Sequence, residues 1–310
     1  MKTAVTLGPP MLADAGGGDT LTSFSDRLPL LVAMTKPRLT MLVLMSVATA
    51  FLLGARQSAS PLTMLWTLLG TGLVAGGSGV WNQILERDRD ALMRRTVRRP
   101  LPSGKVGVVE AGLFGIALGV AGVAMLALGA NGLAAMVAAV TFVLYVLVYT
   151  PLKPVSTLNT AIGAIPGALP PVIGWAAATG RLGIEAWALF LILFLWQFPH
   201  FLAIAWIHRE DYARGGHKML PAFDPTGVMT GRQAALYALA LVPAGLLPTA
   251  IGLAGAWYFA GAAALGAFYL QAAVRFWLDV TNASARRMLY ASFLYLPGIL
   301  LLLLLNPLPA

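Results

Sequence analysis

The chain has 310 residues, of which 58% are hydrophobic and only 11% are charged. A soluble protein of this length carries about a quarter charged residues, so the composition excludes a soluble globular domain. The sequence contains no cysteine, which excludes disulfides, thiolate nucleophiles and cysteine-ligated zinc or iron–sulfur centres. The formal net charge is +9 and lies mostly between apolar runs, which indicates a membrane protein with no nucleic-acid partner.

The apolar runs predict an all-α integral membrane protein with nine transmembrane helices around a central cavity, each of about 17–25 residues. Residues 1–22 are polar and predict a disordered N-terminal tail, and residues 23–310 predict one membrane-embedded domain that begins with a short interfacial helix at Ser23–Met34. Pro166, Pro170 and Pro171 predict a kink in the fifth transmembrane helix. The predicted transmembrane helices are approximately Leu39–Gly54, Met64–Gln83, Gly107–Leu128, Gly132–Tyr149, Leu158–Ala178, Glu185–Ile207, Ala234–Gly255, Trp257–Phe276 and Met288–Leu305.

The distribution of basic residues predicts the orientation of these helices. If the N-terminus is cytoplasmic and each helix crosses once, every lysine and arginine except Arg56 and Arg181 lies on the cytoplasmic side. This asymmetry follows the positive-inside rule and predicts an N-in, C-out protein whose polar loops are cytoplasmic. The N-terminal segment shows neither a secretory signal nor a transit peptide, which favours the bacterial cytoplasmic (inner) membrane over the mitochondrial inner membrane.

A stripe of oxygen-bearing side chains follows the second predicted transmembrane helix. Asn82, Glu86 and Asp90 are spaced i, i+4 and i+8, so they lie on one helical face, whereas Asp88 points about 120° away and is expected to pair with an arginine. Oxygen ligands suit Mg²⁺, which commonly bridges carboxylates to the phosphates of a substrate. The arginines that follow suit the phosphates themselves, so the stripe predicts a diphosphate site at the membrane surface.

A second polar segment follows the sixth predicted transmembrane helix. It contains His208, Glu210, Asp211 and Arg214, and like the first segment it finishes in Leu-Pro. The similarity predicts two related four-helix halves with a ninth helix appended. If the two acidic segments face each other across the central cavity, Glu210 and Asp211 join the metal ligands of the first stripe.

Several local motifs resemble one known family. These are Asp88-Arg-Asp-Ala-Leu-Met-Arg-Arg-Thr96 with Arg99-Pro-Leu-Pro102, Tyr149-Thr-Pro-Leu-Lys153, Asn159-Thr-Ala-Ile-Gly-Ala-Ile-Pro-Gly167, Trp196-Gln-Phe-Pro-His200 and Asp211-Tyr-Ala-Arg214. With them the chain resembles the UbiA superfamily of intramembrane prenyltransferases and, within it, the protohaem IX farnesyltransferase branch. Glu86 and Glu210 stand where that family usually has aspartate, which keeps the charge and lengthens the side chain by one methylene.

The resemblance implies transfer of a farnesyl group from farnesyl diphosphate to a vinyl group of protohaem IX (haem B), with addition of water and with Mg²⁺ as the cofactor. It implies that the lipid bilayer surrounds the enzyme, and that a downstream haem A synthase or oxidase-assembly factor is a candidate partner. The residues implied are Asn82, Glu86, Asp90, Lys153 and Asp211 for catalysis; Asn82, Glu86, Asp90, Glu210 and Asp211 for the metal; Arg38, Arg94, Arg95, Lys153, Arg209 and Lys218 for the diphosphate; and His200, with Trp196 and His208, for haem.

Two other functions remain open at the level of sequence. A prenyltransferase of the same superfamily could act on a quinone precursor or a chlorophyllide, although the His200 region and the arginine-rich motif favour haem. A secondary transporter is compatible with nine helices and an internal repeat. Transporters commonly carry charges near the membrane midplane, however, and here the acidic residues cluster at helix ends.

Overall fold

The computed structural model describes residues 24–55 and 60–308, and these residues form helices joined by loops. The predicted disordered tail, Met1–Thr22, lies outside the described residues. The helices are α1 (Phe24–Met34), α2 (Pro37–Ala55), α3 (Pro61–Asp90), α4 (Val108–Gly129), α5 (Gly132–Val143), α6 (Thr150–Leu152), α7 (Asn159–Ala168), α8 (Pro170–Thr179), α9 (Ile184–Ile207), α10 (Arg209–Arg214), α11 (Val228–Ala250), α12 (Ala256–Leu278) and α13 (Asn282–Leu305), with a π-helical stretch, Leu144–Tyr149, between α5 and α6 and a 3₁₀ turn, Leu220–Ala222, after α10.

Eight stretches of the described chain are long and apolar enough to cross a membrane. They confirm an all-α, multi-pass membrane protein. The predicted second transmembrane helix falls within α3, which has 30 residues and continues into the charged segment, and which is not among the eight. Nine crossings and their orientation therefore stay predictions.

The proline-rich fifth span is broken into two helices, as the sequence predicted. Helix α7 ends at Ala168 and α8 starts at Pro170. Pro170 and Pro171 have no backbone N–H, so they cannot donate to the carbonyls of Pro166 and Gly167 four residues earlier. The break places Gly167 and Pro170 on the wall of an apolar cavity in the bundle.

Glycines allow α3 to approach α4 at backbone distance. A Cβ on Gly77 would lie 2.6 Å from the carbonyl oxygen of Gly115, and a Cβ on Gly122 would lie 2.5 Å from that of Gly70. Small residues at such crossings are the usual means of packing helices in a bilayer, where no hydrophobic effect drives helices together. The close contact fixes α3, and with it the position of the polar residues at its C-terminal end.

Four segments meet at one end of the bundle. The C-terminal end of α3 adjoins the junction between α1 and α2, the π-helical stretch that leads into α6, and the loop that contains α10. Helix α13 packs against α9 on the other side of the same region. The predicted polar segments are thus brought together by helices that are distant in sequence.

Candidate active site

The stripe predicted on α3 lines a cavity of about 550 Å³. Asn82, Glu86 and Asp90 are buried, with exposed fractions of 1%, 5% and 1%. Asp88, on the other face, is exposed and pairs with Arg87 at 3.1 Å, as predicted. The helical spacing therefore separates the polar residues that face the cavity from those that face solvent.

Each member of the stripe contacts a cation from a different part of the chain. The Lys36 Nζ donates to Asn82 Oδ1 at 2.8 Å, the Lys153 Nζ lies 2.7 Å from Glu86 Oε1, and the Arg99 Nη1 lies 2.6 Å from Asp90 Oδ2. All six side chains line the cavity. Buried carboxylates require such partners, because an unpaired charge in this environment is costly.

Lys36 occupies a strained position between α1 and α2. Its φ is 53°, the one positive φ outside glycine in the described ranges 24–55 and 60–308. Gln83 Nε2 donates to the carbonyl of Met34 at 2.7 Å, which ties the end of α1 to α3. Burial, and then the charges of Arg99 and Lys153, lower the pKa of Lys36 to about 7. Strain of this kind persists only where the surroundings hold the residue, and it is common at functional sites.

Lys153 follows the π-helical stretch and short helix α6 and has two partners in the site. Its Nζ lies 4.6 Å from the centre of the Tyr149 ring as well as against Glu86. Burial is the largest single influence and lowers its pKa. The Glu86 carboxylate, with smaller contributions from Tyr149 and Tyr145, raises it by more in total, so the pKa of Lys153 stands well above its ordinary value. Tyr145 and Tyr149 are four residues apart on this stretch, and both line the cavity.

The second polar segment contacts the first through Asp211 and Tyr212 on α10. Asp211 Oδ1 accepts from the backbone N–H of Arg94 at 3.2 Å and pairs with Arg214, and Arg95 donates to the Tyr212 hydroxyl at 3.3 Å. Burial raises the pKa of Asp211, but the hydrogen bonds from Arg214 and from the Arg94 backbone, with the Arg214 charge, lower it by more in total. Asp211 is buried but does not line the cavity, and Glu210 is exposed. The two acidic segments therefore adjoin, with only the first on the cavity wall.

Some of the residues predicted to bind diphosphate line the polar cavity, and others lie outside it. Arg95 and Lys153 line the cavity, whereas Arg38 and Lys218 are exposed and do not line it. Arg94 contributes its backbone N–H, and Arg209 donates to the carbonyl of Trp206 and to Asn282. Sequence reasoning missed Lys36 and Arg99 as cavity residues. A signal existed for both, since Lys36 precedes Arg38 by two positions and Arg99 belongs to the arginine-rich motif.

Two of the three histidines line the cavity. His200 on α9 is 8% exposed, its Nδ1 lies 2.7 Å from Ser292 Oγ, and its ring stacks on Trp196 at 4.9 Å between centres. His217 lines the cavity near Tyr212, and burial lowers its pKa to about 4, so its ring is neutral at pH 7. His208 is half-buried and does not line the cavity.

A second, apolar cavity of about 150 Å³ continues from the polar one. The two cavities share Lys36, Leu39 and Tyr145. Along α3 the apolar cavity reaches from Gly79 to Thr71, which is eight residues or about 12 Å along the axis. Thr71 is eleven residues, or about 16 Å, from Asn82 in the polar cavity. An isoprenoid chain of about a dozen main-chain carbons, joined in a zigzag by bonds of about 1.5 Å, extends over a similar length. The paired cavities suit a molecule with an anionic head and an apolar tail.

The donor atoms of the stripe fit Mg²⁺ bound jointly with a phosphate. No three His, Asp or Glu side chains within residues 24–55 and 60–308 are grouped closely enough to hold a metal ion by themselves. Magnesium, however, is commonly held by one or two carboxylates with water and substrate phosphates as the other ligands. The buried Asp90 Oδ1 has no hydrogen-bond partner, which leaves a free acceptor oxygen beside Asn82 and Glu86.

The charge of the cavity suits an anionic substrate. Lys36, Arg95, Arg99 and Lys153 line it with two acids, Glu86 and Asp90, so its formal charge is +2 when Lys36 is protonated. A positively charged cavity that adjoins an apolar one suits an isoprenoid diphosphate. The fold and the site together define an intramembrane prenyltransferase.

Comparison with known proteins places the chain in a family. Residues 43–296 match the UbiA prenyltransferase family, and the chain belongs to that family. It is 47% identical to a protein of Solibacter usitatus named "Protoheme IX farnesyltransferase" over 89% of this chain and 97% of that one. It is 45% identical to a protein of the same name from Salinibacter ruber, over 88% and 96%. A solved UbiA homologue from Archaeoglobus fulgidus, bound to GPP and Mg²⁺, has the same fold, with a TM-score of 0.61, 17% identity and coverage of 88% and 99%.

Proposed function

We propose that this protein transfers the farnesyl group of farnesyl diphosphate to a vinyl group of protohaem IX and that water addition completes haem O. The observation that carries the proposal is the pair of joined cavities, one lined by the α3 stripe and four cations and the other apolar and long enough for a farnesyl chain. The names of the relatives from Solibacter usitatus and Salinibacter ruber support the same substrate pair.

In this proposal the four cavity cations bind the diphosphate. Lys36, Arg99 and Lys153 turn from their partners in the α3 stripe to the phosphate oxygens, and Arg95 approaches from the Tyr212 side. Bound Mg²⁺ would be held by Asn82, Glu86 and Asp90 and would supply Lewis-acid stabilisation of the leaving diphosphate. The fixed cations favour breakage of the allylic C–O bond, because the electron pair of that bond leaves with the diphosphate.

The cavity walls direct the farnesyl cation to its acceptor. The π electrons of the haem vinyl group form the new bond to C1 of the farnesyl chain, which leaves a cation on the vinyl carbon next to the porphyrin ring. Water adds its oxygen there and releases a proton, so the product carries a hydroxyethylfarnesyl group. The apolar lining between Leu39 and Ile173 keeps water from the farnesyl cation before the vinyl group reaches it.

We propose His200 as the axial ligand of the haem iron. It lines the polar cavity from α9, together with Phe201 and Ile204. Trp196 supports its ring by stacking, and His208 stays a predicted haem contact at the end of the same helix. Asp211 and Glu210 stay predicted metal ligands, after the three residues of the α3 stripe. Asp211 is a weaker candidate than those three because its carboxylate already accepts from Arg94 and pairs with Arg214.

We also propose the setting of the enzyme. The asymmetry of basic residues supports nine spans with a cytoplasmic N-terminus, and a polar cavity that opens to the cytoplasmic side of a bacterial inner membrane. A haem A synthase or an oxidase-assembly factor is the proposed partner, since the product is an apolar haem that must pass to another protein.

The test is an assay of the purified protein in detergent with haem B, farnesyl diphosphate and Mg²⁺, with products separated by chromatography and identified by mass. We expect a farnesylated, hydrated haem whose formation stops when a chelator is added. Asp90→Ala is expected to lower the rate about 100-fold or more. The matched control is Asp88→Ala on the exposed face of the same helix turn, which leaves the rate within about twofold.

Three outcomes would contradict parts of the proposal. Full activity of Asp90→Ala at saturating Mg²⁺ would remove the α3 stripe from the site. Prenyl transfer to an aromatic quinone precursor or to a chlorophyllide, with no haem product, would replace the acceptor and keep the chemistry. Ion-coupled uptake in proteoliposomes without any prenyl transfer would show a transporter.

A further inference from the structure

Ser292 on α13 joins α13 to the part of α9 that lines the polar cavity. It is completely buried. Its hydroxyl lies 2.7 Å from His200 Nδ1 and donates to the carbonyl of Leu289 at 2.5 Å. Its own carbonyl accepts from the Trp196 Nε1–H at 2.9 Å. One residue therefore holds both rings of the stacked pair, one through its side chain and the other through its backbone.

The position of the protons follows from the donors and acceptors present. A serine hydroxyl has one hydrogen and two lone pairs, and the Leu289 carbonyl can only accept. If the hydroxyl hydrogen pointed to His200 instead, two bare oxygens would face each other at 2.5 Å. The hydrogen therefore lies between Ser292 and Leu289, and His200 Nδ1 must carry a hydrogen and donate to Ser292 Oγ. A neutral ring protonated at Nδ1 has its free lone pair on Nε2.

The orientation of the ring is fixed along with its tautomer. Trp196 stacks on one side with an angle of 23° between planes, and Phe293 meets the ring edge-on at 5.3 Å between centres. A rotation of the ring would break the Ser292 hydrogen bond and this packing together. Metal-binding histidines commonly donate their other ring N–H to such a partner, which fixes the tautomer and makes the ligand nitrogen more basic.

We propose that Ser292 is a positioning residue that holds His200 as the Nδ1–H tautomer, so that Nε2 is available to the haem iron. This inference rests on the proposed binding of haem to His200. Ser292 lies outside every motif of the sequence and is 92 positions from His200.

The first measurement needs no haem. The chain has three histidines, so protein labelled with ¹⁵N only in histidine gives three pairs of ring signals, and the His200 pair is the one lost in His200→Gln. We expect a protonated Nδ1 and an unprotonated Nε2 in the wild type. In Ser292→Ala the buried Nδ1–H has no acceptor, so the opposite tautomer gains population. A wild-type ring protonated at Nε2 would overturn the proposal.

The second measurement titrates haem into the detergent-solubilised protein and follows the absorbance shift of a histidine-ligated iron. Loss of such a supporting partner typically weakens metal binding about 10- to 100-fold, and we expect that loss in Ser292→Ala. Ser292→Thr restores the hydroxyl and is expected to recover most of the affinity. The matched control is Ser46→Ala, because Ser46 is 1% exposed and its hydroxyl donates to Val43 three residues earlier at 2.7 Å without contacting a histidine.

The outcomes separate this inference from the function on which it rests. If His200→Ala keeps the wild-type spectral shift, the proposed iron ligand is wrong. If His200→Ala loses the shift and Ser292→Ala keeps both shift and affinity, the iron ligand stands and the role of Ser292 is refuted. Equal losses in Ser292→Ala and Ser46→Ala would likewise refute it, since the effect would then be one of helix packing.

Discussion

Lys36 and Arg38 offer the sharpest test of how the diphosphate is bound. The two residues are separated only by Pro37, and both are cationic. Lys36 is held in the polar cavity by Asn82, whereas Arg38 is exposed outside it. We therefore expect Lys36→Met to weaken binding of farnesyl diphosphate strongly and Arg38→Met to change it little.

The magnitude follows from the contacts of Lys36. Its replacement lowers the formal charge of the cavity from +2 to +1 and removes the charge-assisted hydrogen bond that Lys36 is proposed to donate to the diphosphate. Such a bond contributes about 1.5–3 kcal/mol, which corresponds to a rise in Kd of about 10- to 150-fold. Asn82 Oδ1 also loses its donor, so the free energy of unfolding is expected to fall by about 1–3 kcal/mol.

The assay measures the Kd of a non-reactive farnesyl thiodiphosphate by calorimetry, at a temperature well below the unfolding transition of each variant. We expect Arg38→Met to stay within about threefold of the wild type, because an exposed charge is screened by salt. An equal loss in both variants would show that the diphosphate is attracted by the general positive charge of the surface. A Kd unchanged by Lys36→Met would remove Lys36 from the site.

Three further predictions concern the tail cavity, the packing of the bundle and the buried ion pair. Thr71→Leu shortens the apolar cavity at the end away from Asn82. The ratio of kcat/KM for farnesyl diphosphate to kcat/KM for geranyl diphosphate is therefore expected to fall several-fold in a competition assay. An unchanged ratio would mean that the tail binds elsewhere. Gly174→Ala adds a Cβ against the Val47 carbonyl and is expected to lower the free energy of unfolding by about 1–3 kcal/mol, measured by thermal unfolding in detergent. Lys153→Met leaves Glu86 buried and unpaired, which is expected to lower the free energy of unfolding by about 3–5 kcal/mol. Adding Glu86→Gln to this variant is expected to restore stability but not farnesyl transfer. If both were restored, the pair would have a structural role only.

The parts of the fold that the sequence could predict are those set by local pattern. Apolar runs of membrane-spanning length predicted the helices, and Pro166, Pro170 and Pro171 predicted the kink that the structure shows as a break between α7 and α8. The i, i+4, i+8 spacing placed Asn82, Glu86 and Asp90 on one buried face, because a helix fixes that geometry whatever it packs against.

The cations of the site could not be assigned in the same way. Lys36, Arg99 and Lys153 come from three loops, and which of many basic residues points inward depends on how those loops pack. Lys36 has a backbone φ of 53°, and its side chain contacts Asn82 in the cavity. Arg38, only two residues later, is exposed. A pattern of charges in the sequence predicts that an anion site is present. Which basic residues form that site is decided by the tertiary structure.

The same reasoning explains why the acidic stripe and the cations are found as pairs. Glu86 and Asp90 would be costly to bury alone, and so would Lys153, so the folded enzyme requires each partner. In the proposed mechanism a diphosphate with Mg²⁺ would bring one negative and one positive centre to the same place, and it would replace both halves of each pair without leaving a buried charge unmatched. The pairs stabilise the cavity, and their charge pattern suits such a substrate. A neutral apolar molecule could not replace the partners in this way, so the proposed site would favour an isoprenoid diphosphate over the hydrocarbon chains of the surrounding lipid.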